Sequence, residues 1–542
     1  MRNCEKDAKA NPFGAKWMPL LLAFLLLSLV VVLTGISSAE QVQRNPIIIH
    51  AQHVTTTVPV REMAAAPFGN ISKLMPEHDV NPNFHTSHLP DTAAQYVVLP
   101  EVQTQNLLSF DGIFDSQGGG FVPPDTNASV GGTQVVETVN IAYAVYNKSN
   151  GNVIMSAKSI RTLYTPLGGV CATGNLSDPV VNYDKMANVW VITMIAYNNN
   201  FSSNAACVGV STSNDATGTY NLYSFSYGST LPDYPKVGVW PDAYYITTDS
   251  FPGGGSFTGA ESCALDRAKM LLGNAATAVC FQRNASDFAL LPADLDGATL
   301  PPSGAPNFEM DEGTGSKLNL YKFHVDFSNP SNSTFTGPTT LSVAAFSDIC
   351  GGHFGNRSCI PQPPPGAGLD SLTGRLMFRL PYRNYGDHEA IVAVHTIAPP
   401  SGSAVGAARW YEIRNPSTSP SVFQQGTAFN KTISVWNGSI AMDKVGDIAL
   451  GVSASSSTLK PSIVYSGRVP SDPAGTLESP KIVLVGTGVQ ESGSQSRWGD
   501  YSSMAIDPSD DCTFWYAQEY YKVSGNFMFD THLNSFKFTT CH

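Results

Sequence analysis

RWGDYSSMAIDPSDDCTFWY, residues 497–516, reads as a hairpin. Small and apolar residues alternate through SSMAI, the chain turns at DPSDD, and it leaves through CTFWY. Alternation with period two marks a strand, and Asp, Pro and Ser supply the turn. The carboxylate has a definite task there, since it accepts hydrogen bonds from the N–H groups of the turn. Three other stretches share the outline: YDKMANVWVI (183–192), LDSLTGRLMF (369–378) and MDKVGDIALG (442–451). Each passes from an apolar residue through Asp and a turn into a strand rich in branched or aromatic side chains.

The surroundings lengthen each hairpin into a sheet. SDPVVNYD is followed by NVWVITMIAY, ACVGVSTS and YNLYSFSY. GSIAMD is followed by DIALGVSAS, PSIVYSGR and KIVLVGTG. A unit of four short strands cannot bury both faces alone, and stacking such units around a ring removes that difficulty. Further unit starts are PPDTNASVGG (123–132), SDPVV (177–181), DYPKVGVWPDAYYITT (233–248) and WGDYSSMAID (498–507), with less regular units around 307–346 and 370–429. The expectation is an all-β chain, a β-propeller of seven four-stranded blades. Six and eight blades are also compatible with the spacing of the unit starts, which is wide enough for a propeller repeat with insertions. A pair of β-sandwiches accounts for the strands equally well but not for the recurring hairpin. NLLSFDGIFD (106–115) is expected to add a strand to the last blade and close the ring. One helix is expected, at SCALDRAKMLLG (262–273).

Bulk composition agrees. Of 542 residues, 42% are hydrophobic and 14% charged, and 47 Gly with 37 Pro favour many turns. A net charge of −12 excludes nucleic acid as a partner, because phosphate binding needs a basic footprint. Residues 1–39 combine a positive start with the apolar run WMPLLLAFLLLSLVVVLTGI and the small residues Ser37-Ser38-Ala39. That is a hydrophobic export helix, read either as a cleaved signal peptide, the favoured reading, or as an uncleaved anchor, the one route by which this chain would touch a membrane. Residues 40–105 read as a flexible linker and 106–542 as the propeller domain. Eight cysteines follow the leader in four consecutive couples: Cys171 and Cys207, Cys263 and Cys280, Cys350 and Cys359, Cys512 and Cys541. An even count in an exported chain predicts disulfides, and those pairings are the expected ones. Export places the protein outside the cytoplasm, secreted or at the cell surface. Ten N-x-S/T sequons are consistent with that, Asn127 and Asn437 among them.

IDPSDDCTFW is similar to the Asp-box of sialidase-type propellers, although Ala505 stands in place of its Ser and the turn lacks its Gly. Taken with PPDTNASVGG, DYPKVGVWPDAYYITT, FGNRSCIPQP and GSIAMDKVGDIALG, the chain from 106 onward resembles a family of secreted bacterial propeller proteins without an assigned activity. The resemblance implies the fold and export, and no reaction.

In a propeller the leading ends of the innermost strands converge on one rim. The residues expected there are Asp125, Asn127, Asp178, Asp233, Lys236, Trp498, Asp500 and Tyr501. Carboxylates sharing a rim repel unless a cation lies between them. Lys236 is one candidate. No cofactor motif is present, but Ca²⁺ would suit such oxygen ligands. The plainer reading, favoured here, makes each Asp a turn cap or a bond to a neighbouring blade. A second cluster, Arg383, Asp387, His388 and Glu389, offers acid, base and cation for proton transfer, though its residues also read as a solvated loop. G-x-S-x-G, H-E-x-x-H and Walker sequences are absent. The expected function is therefore non-catalytic binding of an extracellular glycan or protein at the channel mouth. The alternatives are a sialidase-like glycoside hydrolase or lyase, with arginines drawn from Arg375, Arg379, Arg383, Arg409, Arg414, Arg468 and Arg497, and a structural spacer.

Overall fold

The computed structural model describes residues 42–43, 45–68, 78, 86–87, 89–350, 358–492 and 497–542. The chain divides into Met1–Gln41 and Val42–His542, and the fold described is that of the second unit. The expected export helix lies outside the described residues. Among those residues no helix is long and apolar enough to cross a membrane.

The second unit is a β-propeller. Its strands run in antiparallel groups of four, each opening with an inner strand: Asn127–Val130, Asn175–Asp184, Thr230–Val239, Leu291–Asp296, Leu380–Asn384, Ser434–Met442 and Ser503–Ile506. Each inner strand contacts the inner strand or the inner hairpin of the next group, and the last returns to the first. Two groups are also fused by a parallel seam, Ala293–Asp296 against Leu380–Arg383.

Period two explains why such sheets stack. In Val189–Tyr197 every residue is buried. Trp190, Ile192 and Met194 pack on Tyr143 and Val145 of the preceding sheet. Val189, Val191 and Ile195 pack on Val237, Tyr244 and Ile246 of the following one. Successive side chains leave opposite faces of a strand, so a sheet covered on both sides needs an apolar run rather than alternation.

The last sheet joins the two ends of the chain. Ser503–Ile506, Thr513–Tyr520 and Asp530–Phe538 are completed by Thr104–Phe114, with partners running from Phe114 opposite Asp530 to Thr104 opposite Phe538. NLLSFDGIFD thus supplies the strand expected of it. Gly112 lies in that strand, where a Cβ would collide with the carboxylate of Glu137. The Glu137 carboxylate accepts from Ile113 N at 3.0 Å, from Tyr146 Oη at 2.9 Å and from Thr531 Oγ1, which ties the closing strand to the first sheet.

Three expectations are revised. Residues 40–105, expected as a flexible linker, carry edge strands: Val42–Gln43 on Thr334–Ser342, Ile47–His50 on Thr277–Gln282, and His53–Thr56 on Tyr220–Gly228. The open edge of an outer strand offers unpaired N–H and C=O groups, and the branched runs IIIH and HVTT fill it. Further on, Asp91 accepts from Arg409 Nη2 at 2.5 Å and from Thr427 Oγ1 at 2.7 Å. The propeller unit therefore begins at Val42 rather than at 106. The helix expected at 262–273 is a strand, Ala260–Leu265, followed by a short helix, Arg267–Leu271, whose N-cap Asp266 accepts from Lys269 N. LDSLTGRLMF shares the hairpin outline but runs irregularly into an inner strand.

The four cysteine couples are disulfide-bonded as expected. Cys263 and Cys280 face each other across neighbouring strands with Cα atoms 4.0 Å apart. Cys512–Cys541 fastens the C-terminus to the last hairpin.

Candidate functional site

A recurring backbone device aims side chains at the ring's entry. Asp178-Pro179, Tyr234-Pro235 and Asn437-Gly438 each place two residues opposite one on the adjoining strand. The first residue of each pair has φ near +50°, as has Asp125 ahead of the first inner strand. Such bulges re-aim a side chain, and Asp and Asn enter the left-handed region more readily than bulkier residues.

These devices assemble a buried charged cluster. Lys236 is 0% exposed. Its Nζ lies 3.4 Å from the centre of the Tyr234 ring and 4.1 Å from that of Tyr501, and it donates to Pro235 O at 2.9 Å. A desolvated ammonium gains from an aromatic face on each side. Asp125, Asp178 and Asp500 supply the negative charge around it. Burial drives the Asp178 carboxyl up to about 7, with Asp233 and Asp500 adding repulsion that Lys236 offsets in part. Burial, then the charges of Asp500 and Asp178, hold Asp125 well above the usual carboxylate range. The same burial pushes Lys236 down to about 8 against the pull of its acids. Desolvation thus outweighs mutual attraction on both sides of the pair.

Asp125 and Asn127 also hold sheets together. Asp125 Oδ1 accepts from Asp500 N at 2.7 Å and Oδ2 from Asn140 Nδ2 at 2.7 Å. Asn140 Oδ1 in turn accepts from Asp178 N at 2.8 Å, and Asn127 Oδ1 from Val181 N at 2.9 Å. Asn140 thus bridges two sheets, and Asn140→Ala leaves a buried carboxylate oxygen and a buried N–H short of partners. The expected cost is about 2–4 kcal/mol, read from the urea midpoint at constant slope. An unchanged midpoint would show that the bridge does not hold.

The outer part of the mouth is more open. The side chains of Asp233 and Asp500 are 19% and 14% exposed. Asp500 Oδ1 accepts from Arg497 Nη2 at 2.6 Å. Asp233 Oδ2 lies 3.1 Å from Nδ1 of His78. Burial pulls that imidazole down, but the hydrogen bond and charge of Asp233 carry it above its ordinary value. Arg375 stands with Cζ 4.7 Å from the Tyr234 ring.

Trp498 does not join the mouth. It packs 5.6 Å from Tyr521 and 5.7 Å from Trp436, between sheets, and Nε1 donates to Ser453. The second cluster does not converge. Arg383 forms a two-point pair with Asp511 at 2.7 and 2.6 Å. His388 pairs with Asp387, whose side chain is 83% exposed. Glu389 accepts from Tyr382 and Ser417 at 2.6 Å each. Of the seven arginines, Arg375 and Arg497 approach the mouth. Arg379 and Arg383 bind acids at the far end of the inner strands, Arg409 binds Asp91, Arg414 binds Glu412 and Arg468 binds Gln424. For Ca²⁺ the mouth's carboxylates form no close triad. Among the described residues the one group with metal-ligand spacing is Glu261, Cys263 and Cys280, whose sulfurs are spent in a disulfide.

Two members of the cluster, Asp249 and Glu519, carry no signal in the sequence, and two, Arg375 and Arg497, stand there only among the seven candidate arginines. Asp249 and Glu519 come from second strands, Tyr244–Pro252 and Thr513–Tyr520, while Arg375 and Arg497 precede inner strands. Burial drives Asp249 up to about 7 and Glu519 well above its usual range.

No family model and no curated protein matches the chain. Among solved structures, a Penicillium chrysogenum alpha-L-arabinanase complexed with arabinobiose is similar at 10% identity with a TM-score of 0.33, over 68% of this chain and 98% of that one. An alpha-L-arabinofuranosidase from Lactobacillus brevis is similar at 8% identity and a TM-score of 0.27, over 66% and 90%. The Hadza microbial sialidase Hz136 is similar at 8% identity and a TM-score of 0.24, over 76% and 74%.

Proposed function

We propose that the chain is an extracytoplasmic propeller of seven four-stranded blades whose entry mouth binds the hydroxyl groups of an extracellular glycan without turning it over. The observation that carries this reading is the gathering of Asp125, Asp178 and Asp500, from three inner segments, around an ammonium clasped between two tyrosine rings, with Asp233 beside Asp178 at the more open edge. Carboxylates accept hydrogen bonds from sugar hydroxyls, and a pre-formed cluster spares the ligand the cost of ordering it. The leader and the disulfide-bonded cysteines support export.

A second reading, glycoside hydrolysis, is favoured by one observation. The Asp178 carboxyl at about 7 suits a general acid at neutral pH, and it lies near Asp500, which is ion-paired to Arg497. One experiment separates the readings. The mature chain is applied to a glycan array and to a panel of chromogenic glycosides, beside Asp233→Asn and Asp178→Asn. Retention of particular glycans, weakened at least tenfold by Asp233→Asn, with no hydrolysis, is the expected result. Hydrolysis abolished by Asp178→Asn would establish the enzyme instead. Silence in both assays would leave the ring as a spacer and end the proposal.

A further inference from the structure

The inner strands have a second end. There Tyr183 lies at the end of one strand and Lys185 and Asn188 follow it, Gly297 follows another, and Pro508, Ser509 and Asp511 belong to the last hairpin turn. Together with Gly132 they line a half-open cavity of about 320 Å³. We infer that this cavity binds a small anionic polyol, a compound of the size and chemistry of a single uronic acid.

Size and wall chemistry set the class. Such a volume is at the lower end for small-molecule sites. The Tyr183 ring, packed 4.7 Å from Trp190, with Met186 and Pro508, gives an apolar side. Asn188 and Ser509 give polar contacts. The carboxylates nearby are already matched: Asp511 by the two-point pair with Arg383, and Asp294 and Asp296 by Arg379 at 2.7 and 2.6 Å. The cations are less fully used. Lys185 donates to Leu295 O, and its Nζ lies 3.9 Å from Asp296, beyond hydrogen-bond reach. Lys148 reaches Ser509 Oγ at 2.7 Å while paired to Asp507. Acids each held by an arginine and a lysine with donor capacity to spare favour an anion over a cationic guest.

The state of Lys185 agrees. Burial lowers it to about 8, Arg383 and Arg379 push the same way, and Asp296 and Asp294 oppose them. An incoming carboxylate restores what burial removed. Binding should therefore be constant below about pH 8 and weaken above it, because the empty site then loses its proton first.

Gly132 supplies the test. A Cβ there meets nothing within 4 Å, whereas at Gly131 it would come within 2.8 Å of Trp190 and Tyr183. Gly132→Leu therefore adds a side chain at the cavity rim, its Cβ in open space. Calorimetric titration of the mature chain with D-glucuronate at pH 7 should show binding, with D-glucose at least tenfold weaker. Gly132→Leu should abolish it at an unchanged melting temperature. Lys185→Gln should erase both the preference for charge and the fall above pH 8. Asp233→Asn, at the other mouth, should leave it intact, which keeps this inference independent of the glycan reading. Equal binding of glucose and glucuronate, survival in Gly132→Leu, or inorganic phosphate competing as well as glucuronate would each overturn it.

Discussion

Removal of Thr104–Phe114 should abolish the cooperative fold of the entire ring. This strand is the fourth of the last sheet, and its partners come from residues 530–538, at the other end of the chain. Its loss exposes a strand edge, strips Glu137 of the Ile113 N–H, and removes the fully buried Ile113 from the core. Eight paired positions are lost. At about 0.5–1.5 kcal/mol net per hydrogen bond, with the cost of an orphaned carboxylate added, the deficit reaches about 5–10 kcal/mol. That is the whole stability of an ordinary domain, about 5–15 kcal/mol. The deletion should leave no cooperative melting transition and rapid cleavage by a non-specific protease, and a synthetic 104–114 peptide added in excess should restore part of the transition. Deleting Ile47–Thr56 is the control. Those residues add fifth strands to sheets already complete, so melting should stay cooperative at a lower temperature. Equal damage from both deletions would mean that the ring is not closed by this strand.

The closing strand is legible because its signal is local: alternation in NLLSFDGIF with no partner nearby. The same holds for the hairpins. Asp184 accepts from Met186 N and Ala187 N, Asp443 from Val445 N and Asp447 N, and Asp507 from Ser509 N, as turn carboxylates should. The edge strands at 47–56 are less visible. Their branched runs are short, and what pairs them is an open edge far along the chain, at Tyr220–Gly228 and Thr277–Gln282. SCAL reads as helix only while its helix-forming residues are weighed without the bridge that sets Cys263 opposite Cys280 in adjoining strands.

Legibility at the mouth follows the same rule. Asp125, Asp178, Asp233 and Asp500 stand directly before or within inner strands, which is why their positions show in the sequence, while the bulges that aim them do not. Asp249 and Glu519 sit one strand further out, where position in the sequence gives no sign of them. Arg383, Asp387, His388 and Glu389 show the converse. They are neighbours in sequence, yet Arg383 ends one strand, Glu389 begins the next and Asp387 lies in the turn between. Alternation and the reversal of the chain then send them to different partners.

Lys236→Met should be the most damaging single substitution at the mouth, and its damage should depend on pH in a definite sense. Methionine keeps the length and removes the charge, so that Asp125, Asp178 and Asp500 face one another without an ammonium between them. Breaking a buried pair by deleting one partner costs about 3–5 kcal/mol. The sign follows from Asp178. Its folded value of about 7 lies above the ordinary one, so the fold prefers it protonated. The stability this confers is complete below about pH 4 and is lost as pH rises toward 7. Without Lys236 the Asp125 and Asp178 carboxyls move higher still, and the loss deepens and extends above pH 7. The gap between the two proteins in urea midpoint should therefore be widest near pH 8. It should close near pH 5, where Asp125 and Asp178 are neutral and a buried ammonium becomes the liability. A gap of the same size at pH 5 and pH 8 would place the damage in lost packing on Tyr234 and Tyr501, not in charge.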